Sequence, residues 1–96
     1  MSGAANVARG EVALEIDGQR HVLCLTLGAL AEIEAAFGCT KLSELDVRMR
    51  ALSAGDLRVV LAALVRDGEG DVAIESVSPG EAAKAVAEAF RLGLAY

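Results

Sequence analysis

The sequence is poor in aromatic and in basic residues, and both shortages limit what it can bind. Its 96 residues include two phenylalanines, one tyrosine and no tryptophan, so it lacks side chains on which nucleic-acid bases could stack. Nine Lys and Arg residues stand against fourteen Asp and Glu residues, which gives a net charge of −5. A nucleic-acid-binding protein needs a cationic surface. We therefore expect no nucleic acid among its partners.

The sequence also lacks a long apolar run. A membrane-spanning helix needs roughly 20 consecutive apolar residues, and no segment approaches that length. The first ten residues, MSGAANVARG, have neither the basic start nor the apolar centre of a signal peptide. These features predict a cytoplasmic protein with no membrane partner. Its length predicts a single domain over residues 1–96, with a flexible tail at residues 1–8.

Residues suited to catalysis or metal binding are scarce as well. His21 is the only histidine, and Cys24 and Cys39 are the only cysteines. A lone histidine without ligands at metal-binding spacing is typical of a structural residue, and the two cysteines do not form a CxxC pair. Without a secretion signal, two free buried thiols are favoured over a disulfide. We predict no catalytic residue, no metal and no cofactor; a cysteine-dependent enzyme is the weakest alternative.

Two alternating segments predict a β-hairpin within residues 9–25. The dipeptide Asp17-Gly18 between them favours a two-residue turn in which both residues have positive φ. Such a turn pairs Ile16 with Gln19 and fixes the register of the whole hairpin. The apolar side chains then share one face: Val12, Leu14, Ile16, Leu23 and Leu25.

Residues 26–96 predict three to four short helices. The first has Thr26 as its N-cap and Gly38 as its end. Its predicted buried stripe consists of Leu27, Leu30, Ile33 and Phe37. Because this helix follows the hairpin without a loop, we expect it to cover the apolar face of the hairpin.

The second and third helices carry the same start signature. Ser43 and Ser53 each precede an aspartate at the spacing of a capping box, and Leu42 and Val47 are placed to form a hydrophobic staple around the first of these starts. We expect the third helix to end at Gly68.

The last helix has the clearest start of all, with Ser78 as cap and Pro79 at the first helical position. It is predicted to run to Gly93, after an irregular segment at residues 69–77. Its predicted inner face consists of Ala82, Val86, Ala89, Phe90 and Gly93.

Four residues are candidates for binding a partner. Glu34 falls inside the apolar arc of the first helix, where a carboxylate needs a partner group. Leu92, Leu94 and Tyr96 are apolar groups beyond the polar face of the last helix. The alternatives are an ion pair at the core edge for Glu34, and packing onto the core or closure of a homo-oligomer for the other three.

Several motifs resemble the small gene transfer agent family proteins, which are themselves similar to phage tail assembly chaperones. The resemblance covers roughly residues 8 to 68, and the segment from 69 onward departs from the family pattern. It is carried by Arg9-Gly10-Glu11-Val12, Ile16-Asp17-Gly18, the run from Thr26 to Glu34, Leu42-Ser43-Glu44-Leu45 and Asp56-Leu57.

The resemblance implies a role in tail assembly and supplies no catalytic residues. The predicted fold class is α+β, an N-terminal hairpin followed by short helices. The resemblance implies that a protein of this fold is a non-enzymatic chaperone. Its expected partners are the tape measure protein and, in addition, tail tube proteins. The alternative is a structural tail component retained in the particle. A single hairpin counts against that alternative, because tube subunits form sheets that close into a ring.

Overall fold

The computed structural model describes residues 9–65 and 74–94, which form a β-hairpin and four α-helices. This is the predicted α+β architecture in one small domain, and the predicted tail at residues 1–8 lies outside the described residues. The elements are β1 (Glu11–Ile16), β2 (Gln19–Cys24), α1 (Leu27–Phe37), α2 (Leu42–Met49), α3 (Ala54–Leu64) and α4 (Pro79–Gly93), with a 3₁₀ turn at Ile74–Ser76.

The hairpin has the predicted turn and register. Asp17 and Gly18 adopt φ values of 55° and 78°, as a primed two-residue turn requires. Ile16 pairs with Gln19, and the ladder continues to Glu11 opposite Cys24. Of the five apolar side chains assigned to one face, Val12 is half-buried and the other four are buried, namely Leu14, Ile16, Leu23 and Leu25.

Helix α4, rather than α1, covers the hairpin, so the prediction that α1 is its cover is wrong. α4 packs on both strands and on α3, whereas α1 packs mainly on α3 and α2. The buried positions of α4 are mostly alanines, which let its backbone approach the sheet closely: Ala82, Ala85, Val86 and Ala89.

Helix α1 has both predicted caps, and three residues of its predicted buried stripe pack on the core, namely Leu30, Ile33 and Phe37. The Thr26 hydroxyl accepts a hydrogen bond from the Ala29 N–H at 3.0 Å, and Gly38 closes the helix at φ 68°. Ala29 and Ile33 are buried, yet Leu27 is 84% exposed. At 3.6 residues per turn, Leu27 lies about 200° around the helix from Ala29. Its assignment to the buried stripe was therefore wrong.

Helix α2 begins two residues earlier than predicted, because its N-cap is Lys41 rather than Ser43. Its first residue is Leu42, and Ser43 does not cap it. Instead, the Glu44 carboxylate accepts hydrogen bonds from the Thr40 backbone N–H at 2.8 Å and from the Thr40 hydroxyl at 3.2 Å. The predicted staple is also wrong, because Leu42 and Val47 are 52% and 67% exposed.

Helix α3 starts with the predicted capping box and ends before its predicted stop. Ser53 and Asp56 exchange side-chain-to-backbone hydrogen bonds of 3.1 and 3.2 Å. The helix ends at Leu64, because Val65 turns extended and bridges Leu23 on β2. Gly68 lies outside the described residues.

Helix α4 begins and ends as predicted. The Ser78 hydroxyl accepts a hydrogen bond from the Glu81 N–H at 3.2 Å, and Pro79 is the first helical residue. In the preceding segment, predicted to be irregular, Ile74–Ser76 form a 3₁₀ turn, and residues 69–73 lie outside the described part. None of the described helices has the length and apolar character needed to span a membrane.

Candidate functional site

A wide apolar groove lies between α2 and α4. Its volume is about 770 Å³, and side chains from three different helices form its floor. Leu30 comes from α1, Leu57 from α3 and Val86 from α4. We call this cavity the α2–α4 groove. A concave apolar surface of this size is typical of a binding site.

The two helices that form the walls of the groove, α2 and α4, pack on different parts of the fold. α2 packs mainly on α1, whereas α4 packs on α3 and the hairpin. Arg48 also ties α2 to its surroundings. Its guanidinium forms an ion pair with Asp56 at 3.4 Å and lies 4.6 Å from the centre of the Phe37 ring. These contacts tie α2 to α3 and α1.

Each lip of the groove carries a charged residue. Asp46 on α2 forms an ion pair with Arg50 at 3.0 Å, and Arg91 on α4 forms an ion pair with Glu88. The hydrogen bond from Arg91 lowers the pKa of the Glu88 carboxyl, and the same bond raises the pKa of Arg91. Both pairs are solvent-exposed, so each stabilises the fold only slightly and can exchange partners.

Two leucine side chains that line the groove remain partly exposed to solvent. Leu42, which begins the α2 wall, is 52% exposed, and Leu94, which follows α4, is 39% exposed. Burying the exposed part of either side chain would stabilise a complex at roughly 25 cal/mol per Å² of apolar area.

A second cavity of about 590 Å³ continues the groove toward the start of α4. It shares Leu52, Leu57 and Ala83 with the α2–α4 groove and reaches Pro79. The two together follow one side of α4 along its whole length. We call this joined surface the α4 trough.

The four predicted partner-binding residues lie in different places. Leu94 lines the α2–α4 groove, but Glu34 and Leu92 do not. Glu34 is half-buried on α1 and forms no ion pair with any residue in 9–65 or 74–94. Leu92 is half-buried, with its carbonyl oxygen 4.0 Å from the position a Cβ on Gly10 would take. Tyr96 lies outside the described residues.

One protein family matches almost the whole chain. Its sequence profile covers residues 9–95, and the family is described as "Phage tail tube protein, GTA-gp10". The chain belongs to this gene transfer agent family. The match includes α4, so the expected departure from the family after residue 68 is corrected. No curated protein and no solved structure shows significant similarity to the chain.

Sequence reasoning missed most of the groove. Leu42, predicted to form a staple, lines the groove. Phe90 packs against the core, as its predicted inner-face position requires, and also lines the groove. Helical periodicity identifies which residues share a side of one helix, but not whether another helix of the same chain covers that side. The exposed position of Leu94 beyond the polar face of α4 was the one usable signal.

The residues with reactive side chains are dispersed. Cys24 and Cys39 are free thiols, as predicted, but each is half-buried rather than buried. The Cys24 thiol lies 3.7 Å from the Arg9 carbonyl oxygen and the Cys39 thiol 3.9 Å from that of Phe37. Among the described residues, no three His, Cys, Asp or Glu side chains are grouped to hold a metal ion.

Proposed function

We propose that this protein is a structural component of the gene transfer agent tail, retained in the finished particle, and that it acts by binding other tail proteins. Membership of a family described as a phage tail tube protein supports this role. A structural role of this kind needs complementary surfaces rather than catalytic groups.

The α2–α4 groove is the observation that carries the proposal. It is apolar along its floor, polar at its lips and incompletely closed at Leu42 and Leu94. Exposed apolar surface rimmed by polar groups is characteristic of protein-binding sites. The groove therefore supports protein binding as the mode of action.

A second candidate is an assembly chaperone that binds the tape measure protein in the cytoplasm and leaves before the tail is complete. One observation favours it. The sheet in the described part of the chain has only two strands, whereas a tube subunit needs a sheet that can close into a ring with its neighbours. A groove that accepts one helix suits a helical client equally well.

The content of purified particles distinguishes the two candidates. Quantitative mass spectrometry would compare copies of this protein per particle with copies of a known tail protein. A constant ratio that survives further purification supports a retained component. Absence from particles, together with co-purification with the tape measure protein from lysate, would support the chaperone instead.

A further inference from the structure

We propose that the α4 trough binds an amphipathic α-helix supplied by another polypeptide. This inference rests on the proposed function and specifies the chemistry of the partner. Three observations support it: the length of the trough, the distribution of charge at its lips, and the lack of a matching helix among residues 9–65 and 74–94.

The length of the trough fits a helix of about four turns. The trough follows α4 from Pro79 to Leu94. At 1.5 Å per residue this span is about 22 Å, the length of a helix of roughly 15 residues. A helix lying in such a groove buries apolar anchors at positions i, i+3 or i+4, i+7 and onward. We therefore expect three or four apolar anchors on the partner.

The lips specify which charges flank those anchors. Asp46 lies on the α2 lip and Arg91 on the α4 lip. Their present ion pairs with Arg50 and Glu88 are exposed and weak, so a partner helix can replace them at little cost. The complementary helix has a Lys or Arg on the side facing α2 and an Asp or Glu on the side facing α4.

The described helices of a second copy of this chain do not offer such a helix. The large apolar residues exposed in the described part are Leu27, Leu42, Val47, Val59 and Leu94. Leu42 and Leu94 belong to the groove itself. Leu27, Val47 and Val59 lie on three different helices, and each is the only one of the five on its helix that lies outside the groove. No described helix therefore presents exposed anchors at i, i+3 or i+4 and i+7, so none of them matches the trough.

Designed peptides test this directly. The probe is a fluorescein-labelled 16-residue helical peptide with a leucine stripe, a lysine on one flank and a glutamate on the other. Its control has the same composition with the leucines scrambled around the helix. Fluorescence anisotropy with the purified full-length protein should show saturable binding of the probe, with the scrambled peptide at least tenfold weaker. No binding by the probe, or equal binding by both peptides, would overturn the proposal.

Matched protein variants locate the binding site. Leu94→Glu should weaken probe binding about tenfold, whereas Val59→Glu, at a residue that is equally exposed (39%) but outside the groove, should leave it unchanged. If Leu94→Glu proves unstable, Ala87→Arg fills the groove from an exposed position on its wall, and Ala31→Arg on α1 is its control. Equal losses in a groove variant and its control would refute this location.

The charge assignment has its own test. The double variant Asp46→Lys/Arg91→Glu should bind a probe with its two flanking charges exchanged better than the original probe, which reverses the preference of the wild type. An unchanged preference would contradict the assignment.

Sedimentation that shows a dimer abolished by Leu94→Glu would make the groove a self-interface and overturn the proposal. If the probe does not bind but the protein is incorporated normally into particles, this inference fails and the proposed function stands. If the probe binds but the protein is absent from particles, the proposed function fails and this inference stands.

Discussion

Replacing Gly93 with alanine should destabilise the fold, although alanine is normally the better helix residue. A Cβ at position 93 would lie 2.7 Å from the Leu25 Cβ, and 3.1 and 3.3 Å from two further atoms of that side chain. Carbon atoms in contact normally lie about 3.5–4.0 Å apart. Rotation of the Leu25 side chain cannot relieve the closest contact, because its Cβ is fixed to the backbone. The C-terminal end of α4 must therefore move away from the hairpin.

The magnitude follows from two opposing effects. Overpacking of this kind costs about 1–3 kcal/mol. The higher helix propensity of alanine stabilises the folded state by at most about 1 kcal/mol, and by less at the last residue of a helix. The net loss should be about 1–2 kcal/mol, which lowers the melting temperature of a domain this size by roughly 5–15 °C.

Gly80 provides the matched control in the same helix. An alanine Cβ there would meet no atom within 4 Å, so Gly80→Ala should be neutral or stabilise the protein by up to about 1 kcal/mol. Urea unfolding followed by far-UV circular dichroism measures both variants against the wild type. If Gly93→Ala is as stable as Gly80→Ala, α4 does not approach the hairpin as described.

Three further predictions concern the hairpin, α1 and the thiols. Gly18→Val should cost about 1 kcal/mol more than Gly18→Asn, because a β-branched residue is strained at positive φ; equal midpoints in urea would argue against a primed turn. Ile33→Ala should cost about 2–4 kcal/mol and Glu32→Ala little, so similar losses would mean that α1 is not buried at Ile33. Cys24 and Cys39 should react slowly and at similar rates with a thiol reagent, and one fast, low-pKa thiol would revive the cysteine-enzyme alternative.

Local features of the fold were predictable because the residues that determine them are close in sequence. Asp17-Gly18 fixes a turn type, and that turn type fixes the pairing of every residue in the hairpin. Thr26, Ser53 and Ser78 each cap a helix by accepting a hydrogen bond from the backbone N–H three residues later. These interactions need no information from distant parts of the chain.

The packing of the helices was harder to predict, since it depends on contacts between distant segments. Leu27 has helical spacing to Leu30, yet the side of α1 that packs on α3 is centred on Ile33. The α2–α4 groove exists because α2 docks on α1 while α4 docks on the hairpin. Neither docking is encoded in the periodicity of α2 or α4 alone, so a groove-lining residue such as Met49 has the same sequence pattern as a core residue.

The production of tailed particles by a strain that carries a groove substitution tests the central claim most directly. The claim is that this protein acts in the tail by binding other proteins through its α2–α4 groove. Electron microscopy would count complete tails in strains that carry Leu94→Glu or Val59→Glu, with protein levels matched by immunoblot. The account predicts a marked loss of complete tails with Leu94→Glu and normal numbers with Val59→Glu. Normal tails with Leu94→Glu, at a wild-type protein level, would contradict it.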